Sequence, residues 1–350
     1  MDITLEARQP LDLLVRQYLQ LVELELLSWP NPTLLRDASA QAFLFRNMFD
    51  AKYTMYRPPE RYQLRVLKSL VHKIEQAIED PEEDEISDDL TCVLSELLST
   101  RLPSETDAAQ IKSYVTYSFC SPTEHEKRVT LLESRAVIAS SGTTGLRTWE
   151  AALRLGAYLS TPEGRSFVKD KNILELGAGT GLISILCARH LVARYVLATD
   201  GDAGVSDALN TNLFLNDLEG GQNIRTGVLR WGHNVEDLLT EHMQDSVVDV
   251  VLGADITYDA SVIPSLLATF LDLFRKNAAL QVLMSATVRN PETFEVFTHG
   301  CNRHNISLEY VNTEEAVDPE QKGPFYPTNV PIRVMRLSMS GCSQSVLRRS

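Results

Sequence analysis

Cysteine is scarce in this 350-residue chain, and its pattern argues against two common uses of it. The five cysteines, Cys92, Cys120, Cys187, Cys301 and Cys342, are odd in number and scattered, with no CxxC pair. That pattern suits neither a disulfide framework nor a thiolate zinc site, and it points to a reducing compartment. The seven histidines form no HxxxH or HExxH arrangement, so no metal is expected. Apolar runs fall short of the roughly 18 residues that a membrane span requires. The first residues include Asp2 and Glu6 and lack a basic stretch followed by an apolar one, which argues against a secretory signal. Positive charge is also in short supply: 33 Lys and Arg stand against 47 Asp and Glu, a formal net charge of −14. Such a chain repels a phosphate backbone overall, so direct binding of nucleic acid is not expected; an acidic face would suit a basic partner, while the plainer reading is that the charge keeps the protein soluble. No internal repeat or low-complexity tract is visible.

What is present divides the chain in two. Residues 1–127 read as a helical region. Leu11, Leu14, Val15, Tyr18, Leu19, Val22 and Leu26 recur at helical spacing over residues 10–27, and Trp29-Pro30-Asn31-Pro32 stops that helix. A second helix is expected over 60–78, with Leu64, Leu67, Leu70, Val71, Ile74 and Ile78 on one side. The acidic segment 79–89 reads as a solvated loop, and a short helix is expected from Asp89 to Thr100. Strands are expected at 128–132 and 136–139, together forming a hairpin or bridge, and a helix starts near Thr148.

From Asp170 onward, strands alternate with helices. The expected strands are 172–176, 195–199, 224–229, 247–254, 281–286, 306–310 and 331–339. Helices fit at 182–189, 204–215, 262–273 and 291–304. This alternation implies an α/β fold with a largely parallel, Rossmann-like seven-stranded sheet, over a domain of residues 128–340. Residues 341–350 are left as a tail.

The chemistry begins at Glu175-Leu176-Gly177-Ala178-Gly179-Thr180-Gly181, at a strand-to-helix turn. Glycines there allow positive φ and close approach of a ligand to the backbone, and the next helix offers free N–H groups. A dinucleotide fingerprint, GxGxxG, would need its third glycine at position 182, where Leu182 stands. The third glycine comes one residue earlier, which makes a nicotinamide oxidoreductase a poor reading. Asp200 ends the second strand, 20–25 residues past the glycines, where a carboxylate accepts hydrogen bonds from ribose hydroxyls. Asp202 competes for that role but fits a helix cap better.

Trp231 closes the third strand and Trp149 precedes the first, both where an aromatic ring can flank a planar ligand. The fourth strand ends in Ala254-Asp255-Ile256-Thr257-Tyr258. Enzymes that methylate amino groups of nucleic acids carry an Asp or Asn, two prolines and an aromatic at this place. This chain has no proline there.

The form E-x-G-x-G-x-G resembles motif I of the S-adenosylmethionine-dependent methyltransferases. Asp255-Ile256-Thr257-Tyr258 resembles the DxxY signature of methyltransferase family 16, whose members mostly modify lysine in other proteins. Upstream, residues 129–134 and 142–153 are similar to the lead-in of the branch that methylates translation elongation factor 2, as are Thr287-Val288-Arg289-Asn290-Pro291-Glu292-Thr293-Phe294 after the fifth strand. The resemblance covers about residues 43–339 and is strongest from Val129 onward. It implies a cytoplasmic protein-lysine methyltransferase using S-adenosylmethionine, with elongation factor 2 as protein partner and the helical region recognising it. By carry-over, Trp149, Gly177, Ala178, Gly179, Asp200, Trp231 and Ala254 line the cofactor, with Glu175 and Gly181 completing the motif. Asp255 and Tyr258 border the lysine as the catalytic pair. Two alternatives stay open: a small-molecule methyltransferase, and a non-catalytic scaffold that keeps the fold.

Overall fold

The computed structural model describes residues 4–104, 107, 110–121, 124–134, 144–243, 246–311 and 323–340. The chain forms two compact units: Met1–Ser118 with Thr130–Ala136, and Phe119–Val129 with Val137–Ser350.

The first unit is built mainly from helices α1 (Leu5–Leu19), α2 (Pro32–Arg36), α3 (Ala38–Leu44), α4 (Glu60–Ala77) and α5 (Asp88–Ser99). A five-residue π-helical turn, Phe45–Phe49, extends α3. Helix α1 begins five residues before the expected start, because the Thr4 side chain caps it by accepting from the Ala7 N–H. It ends at Leu19 rather than at residue 27. Leu21 turns into the left-handed region (φ 60°), and only a short 3₁₀ turn, Leu24–Leu26, follows. The apolar stripe read from the sequence is nonetheless the buried one: Leu11, Leu14, Val15, Tyr18 and Leu19 all face the core. Helix α4 contributes Val66, Leu67, Leu70, Val71 and Ile74 to the same cluster. Each such side chain adds roughly 1.5–3 kcal/mol on burial. Tyr18 sits at their centre, stacked on Tyr62 at 5.7 Å between ring centroids and tilted against Phe49 at 5.3 Å.

The acidic segment is a hydrogen-bonded turn rather than a free loop. The Asp84 carboxylate accepts from the Glu79 and Asp80 N–H groups at 2.9 and 3.1 Å, and those bonds hold its pKa below the usual carboxylate value. Gln41, fully buried, reaches across from α3: its Nε2 donates to the Glu85 carbonyl at 3.0 Å and its Oε1 accepts from the Ser87 N–H at 2.8 Å. Local bonds thus supply the order that apolar burial cannot. Asp88 and Asp89 belong to the first turn of α5, where the helix dipole favours negative charge. Replacing Gln41 with alanine leaves the Arg36 and Glu85 carbonyls and the Ser87 N–H without this partner, at a cost of about 1–3 kcal/mol. Urea denaturation should show that loss, with faster proteolysis within residues 79–87. An unchanged midpoint would mean that water replaces the amide without cost.

Strands β1 (Ser113–Ser121) and β2 (Glu124–Glu133) pair in a two-stranded sheet. The sequence reading paired 128–132 with 136–139 instead. The structure gives β2 an upstream partner, and residues 136–139 lie outside the described residues. The alternation Val115, Tyr117, Phe119, all buried, against Ser and Thr is the signal for β1.

The second unit carries α6 (Glu150–Leu159), α7 (Pro162–Val168), β3 (Asn172–Leu176), α8 (Leu182–His190), β4 (Tyr195–Asp200), α9 (Ala203–Leu215) and β5 (Ile224–Val228). It continues with α10 (Glu236–Met243), β6 (Val250–Ala254), α11 (Ile263–Lys276), β7 (Gln281–Thr287), α12 (Pro291–Arg303), β8 (Ile306–Tyr310) and β9 (Ile332–Met339). Seven strands form one sheet in the order β5-β4-β3-β6-β7-β9-β8. The first five run parallel, while β9 is antiparallel to both β7 and β8. The expected Rossmann-like α/β sheet is therefore present, and the N-terminal region is helical as expected. Strand β3 is buried at all five residues, Asn172 and Glu175 included, so its burial does not alternate as it would in a strand with one face in solvent. The order reverses between β3 and β6: β4 and β5 lie on one side, β6 and β7 on the other. Ligands of open α/β sheets bind at such a switch point, beyond the carboxyl ends of the strands.

The candidate active site

The carboxyl ends of β3, β4 and β6 open into a cleft of about 920 Å³. Volumes of this order are typical of small-molecule and cofactor sites. Its walls include ten of the eleven residues singled out from the sequence: Trp149, Glu175, Gly177, Ala178, Gly179, Asp200, Trp231, Ala254, Asp255 and Tyr258.

Gly181 is the exception. It caps α8 with a φ of 86°, and a Cβ there would lie 3.0 Å from the Leu209 side chain. This glycine shapes the loop by letting α8 start in a left-handed turn against α9. Gly177 has a different reason. Its φ is 67°, and a Cβ would meet Ile256 at 2.8 Å and the Trp231 ring at 3.4 Å. Only a bare backbone leaves the base of the cleft open there.

The loop is held in place from the neighbouring strand. Ala178 N–H donates to the Thr199 carbonyl at 2.8 Å, and Gly179 N–H donates to Asp200 Oδ2 at 3.2 Å. The other Asp200 oxygen accepts from Asp202 N–H at 3.1 Å. Burial nevertheless outweighs these bonds and raises the Asp200 carboxyl above its ordinary pKa. Asp202 caps α9, accepting from Val205 N–H at 3.1 Å, while also facing the cleft. Thr148 and Thr180 share a hydrogen bond of 2.6 Å, which ties the segment before α6 to the glycine loop.

Glu175 lies at the floor with only 2% of its surface exposed. Its carboxyl accepts from the Ser184 hydroxyl, and its backbone carbonyl accepts from Thr199 Oγ1 at 2.6 Å. Burial pushes this carboxyl up to about 8, against the lowering effect of Ser184. Near neutral pH, the proton stays on in the folded protein.

At the rim, Asp255 has a left-handed backbone (φ 54°) and a nearly buried side chain. Oδ1 accepts from Thr287 N–H at 2.8 Å, and Oδ2 accepts from Thr287 Oγ1 and from Arg289 Nη1, each at 3.1 Å. Tyr258, three residues on, is 60% exposed at the same rim. The Trp149 indole N–H donates to the Thr144 carbonyl at 3.1 Å. The guanidinium groups of Arg147 and Arg289 lie 5.1 and 5.2 Å from its ring centroid.

The sequence reading did not pick out Arg289, Thr287 or Glu150 as site residues. Their signal was available: all three lie in segments already noted for their resemblance, Glu150 within 142–153 and Thr287 and Arg289 at the end of β7 and just beyond it.

The donor set suits S-adenosylmethionine. A half-buried carboxylate faces the cleft at Asp200, bare backbone lines it at Gly177, and two indoles stand on its walls. Among the described residues, no group of three or more His, Cys, Asp or Glu is placed to hold a metal ion. No described helix is long and apolar enough to cross a membrane.

The lysine methyltransferase family matches residues 134–300. The protein-lysine N-methyltransferase EFM3 of Chaetomium thermophilum is 45% identical over 92% of this chain and 95% of its own length. The chain belongs to the lysine methyltransferase family. EFM3 of Saccharomyces cerevisiae, also a protein-lysine N-methyltransferase, is 31% identical over 73% of this chain and 77% of its own. The protein-lysine N-methyltransferase EEF2KMT of Homo sapiens is 27% identical over 92% and 90%. This lysine methyltransferase takes its methyl group from S-adenosylmethionine.

Proposed function

We propose that the lysine methylated by this enzyme belongs to a protein, translation elongation factor 2, and that the reaction takes place in the cytoplasm. The observation that carries the reading is the meeting of Asp255 and Tyr258 with the glycine loop and Asp200 on one cleft. The choice of elongation factor 2 is supported by the upstream and post-strand segments that resemble that branch, and by similarity to EFM3 and EEF2KMT. The free thiols Cys92, Cys187 and Cys301 suit a reducing compartment.

In this reading, Trp149, the Gly177–Gly179 backbone, Asp200, Trp231 and Ala254 hold the cofactor, with Glu175 beneath and Gly181 supporting the loop. S-adenosylmethionine supplies a sulfonium-bound methyl group for in-line displacement by an amine. The protein's share is to orient the amine and exclude water. A free lysine, with a pKa near 10.4, is about one part in a thousand neutral near pH 7.4, a cost of roughly 4 kcal/mol. Desolvation at the rim and the positive charge of the sulfonium both reduce that cost. No strong general base is needed. The Tyr258 phenol, exposed at the rim, is placed to accept the amine's hydrogen bond or to offer its ring to a cation. Asp255 is engaged by Thr287 and Arg289 and shapes the rim. The N-terminal unit, which has its own core, is assigned to recognition of the protein substrate.

Incubating purified elongation factor 2 with labelled S-adenosylmethionine and this enzyme should label a single lysine, identified by mass spectrometry. Tyr258→Phe should reduce turnover roughly tenfold, about 1.4 kcal/mol of barrier. Label on other cell proteins but not on elongation factor 2 would reject the substrate. Label on small molecules alone would return the chain to the small-molecule reading.

A further inference from the structure

Arg289 stands two residues beyond β7 and joins three parts of the cleft. Its Nη1 lies 3.1 Å from Asp255 Oδ2, at the end of β6. Its Nη2 lies 2.8 Å from Glu150 Oε2, in the first turn of α6. Its guanidinium lies over the Trp149 ring. We propose that Arg289 is a positioning residue for methyl transfer: it keeps the Asp255 and Glu150 carboxylates paired, so that they do not hold the incoming lysine as an unreactive ammonium. The proposal rests on the lysine methyltransferase reading of this cleft.

The physical case is one of charge balance at the rim. An amine attacks only as the free base, and a carboxylate without a countercharge within about 4–6 Å favours the ammonium form. Asp255 lines that rim, and Glu150, next to the lining residue Trp149, meets the same guanidinium, with side chains only 8% and 22% exposed. Thr287 donates two hydrogen bonds to Asp255 but no charge. Arg147 stands near Glu150, at 3.8 Å, whereas the cation paired with Asp255 among the described residues is Arg289. The groups facing the guanidinium are therefore Asp255 from β6, Glu150, Trp149 and Arg147 around the start of α6, and Thr287 from β7. Tyr258 completes the rim. The Arg289 fork satisfies both carboxylates at once, a geometry to which the planar guanidinium is suited. Its 43% exposed side chain leaves it at the mouth, where the substrate must pass.

The test compares the parent enzyme with Arg289→Met and Arg289→Lys, full length, on elongation factor 2 between pH 7 and 10. In the Met variant, the rise of kcat with pH should move by about one unit to the alkaline side, and kcat at pH 7.5 should fall about tenfold. KM for the protein should stay level or fall, since the ammonium is held more tightly. Affinity for S-adenosylmethionine should change less than about threefold, as expected for a residue that acts on the amine. The Lys variant keeps a cation and should keep the parent's pH profile. A Met variant with kcat lowered equally at every pH would overturn the proposal, as would a Lys variant shifted like Met. A parent enzyme inactive on elongation factor 2 at every pH would instead overturn the substrate reading, and this proposal with it. The two failures are told apart by the parent alone.

Discussion

Replacing Asp200 with alanine is expected to weaken S-adenosylmethionine binding by about 1.5–3 kcal/mol, the worth of charge-assisted hydrogen bonds. That is roughly a ten- to hundredfold rise in Kd. Asp200 ends β4 on the wall of the cleft, and each of its oxygens already accepts one backbone N–H, from Gly179 and from Asp202. Each oxygen retains a free lone pair, and the pair of them suits two adjacent hydroxyls. Burial raises the pKa of this carboxyl despite the backbone N–H groups around it. Asp200→Asn should fall between parent and alanine, because one acceptor and the side-chain shape remain. Isothermal calorimetry reads the affinity, and circular dichroism checks that the sheet is intact. An alanine variant with parental affinity would remove Asp200 from the ribose position.

A second large effect lies beneath the cleft, at Glu175. Its folded pKa of about 8 stands above the ordinary value of 4.5 because the side chain is buried. A group raised in this way favours the fold in its protonated form. Its contribution is fully present below about pH 4.5 and is lost as pH rises through about 8. The cofactor-free parent should therefore lose on the order of 3–5 kcal/mol of stability across that window from this group. Glu175→Gln keeps the acceptor for Ser184 and cannot ionise. Its urea stability should gain steadily on the parent as pH rises from 5 to 8.5. If both proteins show parallel pH dependence, Glu175 does not carry its proton in the fold.

The two residues also mark where sequence reading succeeds and where it stops. The motif placed Glu175 and Asp200 at the cofactor loop by spacing alone, because strand ends and tight turns are local. Glycine at 177 and 181, an acid at the end of β4 and the alternation of strands with helices are likewise local patterns, and all were legible. So were the apolar stripes of α1 and α4. Helix ends were less so: α1 stops at Leu19 because Leu21 turns left-handed, and nothing in the run to residue 27 announces that.

Pairings between distant segments were decided by the tertiary structure. Strand β2 could have met a partner on either side, since register depends on which neighbouring strand packs beside it. Gly177 and Gly181 look alike in sequence. One is bare because Trp231 and Ile256 close on it, the other because Leu209 does. The acidic run carries no apolar signal, and its order comes from the local Asp84 bonds together with Gln41, more than 40 residues away in sequence. Asp255 reads from its motif as a residue bordering the lysine at the reacting end. In the fold it is engaged by Thr287 and Arg289, over 30 residues downstream, and by Arg289 is joined to Glu150, over 100 residues upstream. The sequence by itself determined the sheet, the cofactor and the family, because these rest on spacing within one strand–turn–helix unit. Only the tertiary structure decided which carboxylates are paired, because charge compensation is set by distance in space and not by distance along the chain.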